Sequence, residues 1–410
     1  MSAIRNNALT RFFTSSESRG RASFRTRVAL GALAVFMVAY LGYAFFAFSV
    51  FYGRDVHYTD NVFAGFAVKT PPGGAGSPSG GSPAGGGEPT PGGPEAPVSE
   101  AGRPGEGAEV GTVDSTGGPS VCEESRTVAM QQALIRYMVR DNFWVPARPV
   151  YKLGFFGLVD FEDTPWFDNK ASEQIGVLDV TRRMAIELTD ALGRVRGTSL
   201  QNEDLANAQA ALRINERAWY FNSPFNADIN TVSPGAAASY EDAIRLYGNY
   251  NDQLSSCDAV FDTRSDNLRE VLSRFTATLG STTTELAQRS REYVYDPETD
   301  RFVTAEGNNR GWFDFHADNY FHRARGKMYA LHGLLQGVRA DFNDLLSDRN
   351  VHAVWDKMEV AIAEAAVMDP TIVSNGAADS AVTPDHLGKM AEIILRARAS
   401  MVELRDILRD

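Results

Sequence analysis

The run from Val28 to Tyr52 contains no charged residue and is bracketed by Arg27 and Arg54. As a helix rising about 1.5 Å per residue, it covers roughly 37 Å, more than the hydrocarbon core of a bilayer at about 30 Å. No later stretch is comparable, so residues 28–52 are expected to form a single transmembrane helix with the lipid bilayer as its partner. The competing reading is a cleaved signal peptide. The apolar run is too long for that, and no small-x-small site follows it.

The first 27 residues carry Arg5, Arg11, Arg19, Arg21, Arg25 and Arg27 against one acidic residue, Glu17. By the positive-inside bias this tail is cytoplasmic and everything after Tyr52 lies outside. The tail is too short to bury a core, so it is no output domain. The expected arrangement is therefore a membrane crossed once, with the N-terminal tail in the cytoplasm and the C-terminal domain outside it.

Residues 53–69 form a juxtamembrane segment. From 70 to 120 the chain is Gly, Pro, Ser, Ala and Thr with scattered Glu and no aromatic residue, a composition that cannot offset the cost of ordering. It reads as a disordered tether with a span of roughly 40 Å. Residues 121–410 form the remaining domain, with 31 basic against 43 acidic groups. That balance repels polyanions and argues against nucleic acid as a partner.

This domain reads as all-α. Phe321, Ala324, Met328, Leu331, Leu335, Val338, Phe342 and Leu345 keep an unbroken spacing of three and four, as do Leu387, Met390, Ile394, Ala397, Met401, Leu404 and Leu408. Shorter stripes run from Val177 to Val195, Leu268 to Leu279 and Val351 to Ala365. Weaker helical signals cover 130–138, 205–212 and 240–254. Asp168, Ser239 with Asp242, and Thr383 before Pro384 supply expected helix starts. Gly197, Gly280 and Asn375-Gly376 supply expected ends. One strand signal, Tyr293-Val-Tyr and Arg301-Phe-Val around DPETD, predicts a small hairpin. The expected architecture is an elongated multi-helix bundle with one β-hairpin, preceded by the membrane helix and the tether.

Cys122 and Cys257 both fall on the external side, where a disulfide is permitted; two buried thiols are the alternative. Five histidines, His316, His322, His332, His352 and His386, lie in the last hundred residues. His322 and His332 are about 280° apart around one helix, so that helix cannot present both to one ion. With no HExxH and no Cys/His ligand pattern, neither a metal nor a cofactor is called for.

Three Asp-Asn pairs, Asp168-Asn169, Asp266-Asn267 and Asp318-Asn319, sit at or near helix starts. Capping accounts for the first two. The third is followed two turns later by Arg325, with which Asp318 is expected to share a buried polar network. A serine elbow, a Cys/His pair and a glycosidase carboxylate pair are not recognisable, so catalytic residues are not assigned. The aromatic group Trp166, Phe167, Trp219, Tyr220 and Phe221 is read as core or as a covering loop.

The elements Asp168-Asn169, Gly176-Val177-Leu178, Arg182, Asp204-Leu205-Ala206, Trp219, Phe261 with Arg264, Asp266-Asn267-Leu268, Leu279-Gly280-Ser281, Asp318-Asn319, Ala324-Arg325-Gly326, Asp341-Phe342, Asn375-Gly376 and Arg396-Ala397 occur in this order. Together they resemble a bacterial family of single-pass inner-membrane proteins catalogued as a domain of unknown function (family 2333). The long tether departs from the shorter connection associated with that family. The resemblance implies an envelope protein with an external helical domain and supplies no activity. Of the motif residues, Asp168, Asn169, Arg264, Asp266, Asn267, Asp318, Asn319, Arg325, Asn375 and Gly376 are read as structural.

The expected function is a protein-interaction or scaffold module with a periplasmic or membrane protein partner, possibly a second copy of itself. The alternatives are an enzyme acting on cell-wall or envelope substrates, and a ligand sensor working through a separate cytoplasmic partner.

Overall fold

The computed structural model describes residues 24–52, 122–147, 168–194, 200–218, 235–291, 293–304, 314, 316–376, 380 and 382–409. In the first segment, side chains are described over 28–42. The chain divides into two compact units, Met1–Phe66 with Glu123–Asp410, and Ala67–Cys122, and of the second only Cys122 is described. The expected tether, the juxtamembrane segment, the arginine tail up to residue 23, the five-residue aromatic group and Gly197 lie outside the described residues.

The described chain is mostly helical. Its α-helices are α1 (Phe24–Tyr52), α2 (Arg126–Arg136), α3 (Asn169–Glu187), α4 (Glu203–Leu212), α5 (Ala236–Ser255), α6 (Ser265–Ser290), α7 (Ala317–Asp341), α8 (Asn343–Asp348), α9 (His352–Ala366) and α10 (His386–Ile407). Helices α2 and α3 each run on into a wider π-helical turn, Tyr137–Asp141 and Leu188–Leu192. Strands β1 (Tyr293–Asp296) and β2 (Arg301–Thr304) form the expected antiparallel hairpin, with Tyr293 opposite Thr304 and Asp296 opposite Arg301. Asp300, at φ 52°, makes the turn and accepts the Tyr295 hydroxyl at 2.6 Å.

The apolar stripes read from the sequence are the core. Leu387, Met390, Ile394, Ala397, Met401 and Leu404 of α10, and Phe321, Met328, Leu331, Leu335 and Val338 of α7, are fully buried. Helix α3 packs along α7, α6 along α10, α9 along α10, and α2 against both α5 and α7. The α3–α7 approach is close because both helices carry glycine at the contact. A Cβ on Gly176 would lie 2.1 Å from the Arg323 carbonyl oxygen, and one on Gly326 would lie 2.1 Å from that of Glu173.

Several helix ends differ from expectation. Helix α5 starts after Gly235, so Ser239 is a buried residue inside it and not a cap. Helix α10 is capped by Asp385, whose Oδ1 accepts Gly388 N at 2.7 Å, and not by Thr383. Gly280 lies inside α6, and Asn375-Gly376 lies beyond α9 in an extended segment bridged to Asp385. Asp168 stands at the start of α3 and Asp266 in the first turn of α6, yet neither helix has a side-chain cap bond.

The stripe expected to run unbroken to Leu345 breaks at Phe342, where the backbone leaves helical geometry. At Ser239, Thr383, Gly280 and Asn375-Gly376 a glycine or short polar residue fits several backbone roles, and packing selects among them.

Among the described residues no helix is long and apolar enough to cross a membrane. Helix α1 has described side chains over only 15 positions.

Candidate functional site

The polar residues of the bundle do two kinds of work, and the first is joining segments. Asp341, at the end of α7, receives Ser125 Oγ at 2.6 Å, Arg126 N at 2.7 Å and Thr127 N at 2.8 Å, which satisfies the free amides at the start of α2. Arg182 does the reverse at the end of α4, donating from Nε to the Leu212 carbonyl and from Nη2 to that of Ile214, both at 2.7 Å. Arg264 holds Asp262, with Nε 2.9 Å from Oδ1, and the Asn267 amide donates to the Asp262 carbonyl at 3.1 Å.

Buried Asn375 donates to the Arg289 carbonyl and to Asp314 Oδ2, both at 3.0 Å, while Arg289 also pairs with the Asp314 carboxylate. Gly376 has no room for a side chain, since a Cβ there would overlap the Thr383 carbonyl. At the end of α5, Cys257 N donates to the Leu254 carbonyl and Asp258 N to that of Gln253, a closing turn that places Cys257 at φ 65°. Both Cys122 and Cys257 are disulfide-bonded.

The second kind of work is concentrated at the start of α7. There Ser172 and Ile175 of α3, Arg217, Arg289 of α6, and His316, Asn319, Tyr320 and Arg323 line a cleft of about 400 Å³. Ser172 Oγ donates to Asn319 Oδ1 at 2.9 Å, and the Arg289 guanidinium lies 5.8 Å from the Tyr320 ring centre. Arg323 pairs with Asp179 at 2.8 Å. Three guanidinium groups line this cleft, an arrangement suited to a small anionic group.

The expected pairing of Asp318 with Arg325 is not formed. Arg325 instead bridges Glu173 at 2.7 Å and Asp369 at 2.6 Å. Helix α3 brings Glu173 within reach across the glycine contact, so a neighbouring helix takes the guanidinium that sequence spacing assigned within one helix. Asp318 is left buried, with Oδ1 accepting Asn319 N at 3.0 Å and Oδ2 without a partner. Burial, with Asp314 adding repulsion, pushes its carboxyl up to about 7.

One turn on, His322 is buried with Nδ1 unpartnered, and burial holds it neutral, well below its usual range. His332 is pushed down to about 4 by burial. The other histidines are dispersed: His352 meets Ser347 Oγ at 3.0 Å, and His386 Nδ1 accepts Ser374 N at 3.0 Å. No group of three or more His, Cys, Asp or Glu side chains among the described residues is placed to hold a metal ion.

Arg217, Arg289, Tyr320 and Arg323 were not singled out from sequence as site residues. They come from separate segments, and no periodicity or local motif links them before the chain folds.

The fold and cleft define a class: a helical bundle organised around a close glycine-mediated crossing, with an arginine-lined cleft at one end of that crossing. The chain belongs to the family described as "Uncharacterized protein conserved in bacteria (DUF2333)", which matches residues 161–410. Neither a curated protein nor a solved structure matches it.

Proposed function

We propose that this chain is a membrane-anchored binding module of the bacterial cell envelope, with its helical bundle in the periplasm engaging another protein as a scaffold. Helix α1 carries the reading. Its described side chains are apolar and exposed on every face, with Val35 at 70% and Val38 at 71% exposure, and the uncharged sequence continues to Tyr52. A helix that is apolar all round needs an apolar medium all round, and a bilayer supplies one. The role of Asp341, Arg182, Asn375 and Arg325 in joining segments supports a bundle built for rigidity.

The partner is tested by placing a photocrosslinking residue at exposed Val360 of α9 in cells at native expression. Discrete adducts with a second protein or a second copy are expected, and monomer alone would count against the scaffold role. A second reading, a sensor for a small anionic ligand, is supported by the cleft of Arg217, Arg289 and Arg323.

A further inference from the structure

Away from the start of α7, α6 and α10 enclose a polar groove between them. Ser265 Oγ near the start of α6 donates to the Leu408 carbonyl near the end of α10 at 3.0 Å, so the two helices run antiparallel. Two adjoining cavities, of about 540 and 420 Å³, share Ser273 and Arg405 as lining residues. On α6 the lining runs from Arg269 to Thr284, which at about 1.5 Å per residue is roughly 22 Å.

The α10 side of the groove is cationic. Arg398, Arg405 and Arg409 line it, with Arg269 facing them from α6. Glu270 and Asp406 also line the second cavity, but they pair with Arg274 at 3.4 Å and Arg405 at 3.0 Å. Arg398 reaches across to α6, where a Cβ added to Gly280 would stand 3.1 Å from its Nε. That Nε is buried without a partner. A glycine in the middle of a helix is less favourable than alanine, and here it makes the room the guanidinium occupies.

The α6 side has the opposite hydrogen-bonding character. Thr276, Thr283 and Thr284 donate their hydroxyl protons to the carbonyls of Leu272, Leu279 and Gly280 at 2.7, 2.8 and 2.9 Å. Ser281 does the same to Thr278 at 3.1 Å. With the protons committed, these oxygens offer lone pairs to the groove. The α10 wall, with Arg269 opposite, therefore donates from charged groups, while the Ser and Thr hydroxyls of α6 accept.

A ligand that satisfies both walls carries anionic groups along one edge and hydroxyl donors along the other. Among the described residues no aromatic ring lines the groove, so none of them supplies base or sugar stacking. We infer that the α6–α10 groove binds an acidic oligosaccharide, a chain of sugars bearing carboxylates and free hydroxyls.

The test uses the full chain in detergent, titrated calorimetrically with an oligogalacturonate of about six sugars, with a neutral maltohexaose and with an oligoglutamate peptide. The oligogalacturonate is expected to bind, at least tenfold more tightly than either control, and more weakly as salt rises. Arg398→Ala is expected to weaken it about tenfold or more, and Arg409→Ala, at an exposed site that leaves folding intact, several-fold. Arg245→Ala, at an exposed position of α5 away from the groove, should leave it unchanged. Absence of oligogalacturonate binding would overturn the inference, as would equal binding of the oligoglutamate, or full affinity in Arg409→Ala together with a folded Arg398→Ala.

Discussion

Asp318 is a carboxyl group placed where its charge is poorly solvated and where Arg325, two turns on, is already engaged by Glu173 and Asp369. Its acidity is displaced upward, to about 7 in the folded chain, so between about pH 4 and 7 the folded protein holds a proton that the unfolded chain has released. Stability from this group is therefore present at low pH and lost as pH rises through about 7. Replacing it with asparagine, which keeps the shape and removes the charge, is expected to flatten that loss. At pH 8, Asp318→Asn should be more stable than the parent by about 1–3 kcal/mol, and at about pH 4, before the unfolded chain releases the proton, nearly equal to it. Urea unfolding of both proteins at the two pH values measures this, and an equal difference at both would show that the buried charge is compensated. The position of Asp318 near a helix start was legible in the sequence. Its isolation was not, because that depends on which neighbouring helix reaches Arg325 first.

Helices α3 and α7 meet through Gly176 and Gly326, and the main-chain carbonyls of Arg323 and Glu173 occupy the space a side chain would need. Such a contact has no flexible part that can yield. Gly326→Ala is expected to destabilise the bundle by about 2–4 kcal/mol by forcing the helices apart, and the cleft built on Ser172 and Asn319 should loosen with them. Gly248→Ala in α5 is the comparison. There the added carbon meets only the end of the Gln132 side chain, so the change should be within about 1 kcal/mol. Equal denaturation midpoints for the two variants would argue against a close crossing. The stripes through Phe321 and Leu387 made the long helices readable, since a period of three and four has one interpretation over twenty residues. Helix ends were read less well. Ser239, Thr383, Gly280 and Asn375-Gly376 each fit a terminus by residue type, and the fold uses them as core, loop, groove wall and interlocked segment. Capping across the molecule, as Asp341 does for α2, leaves no local signature at all.

For the molecule as a whole, α1 and the bundle pose opposite solvation problems. The bundle buries its apolar stripes internally and holds many of its charged groups in ion pairs. The described part of α1 turns apolar side chains outward in every direction, which water does not suit. On the proposed reading, a membrane anchor carrying the bundle on one side would resolve both, and the arginines before Val28 would set which side. The most direct test is to fuse a reporter active only outside the cytoplasm to the C-terminus, together with alkaline carbonate extraction of the membranes. The account predicts an active reporter and a chain that stays in the membrane pellet until residues 28–52 are deleted. An inactive external reporter, or full release of the intact chain by carbonate, would contradict it.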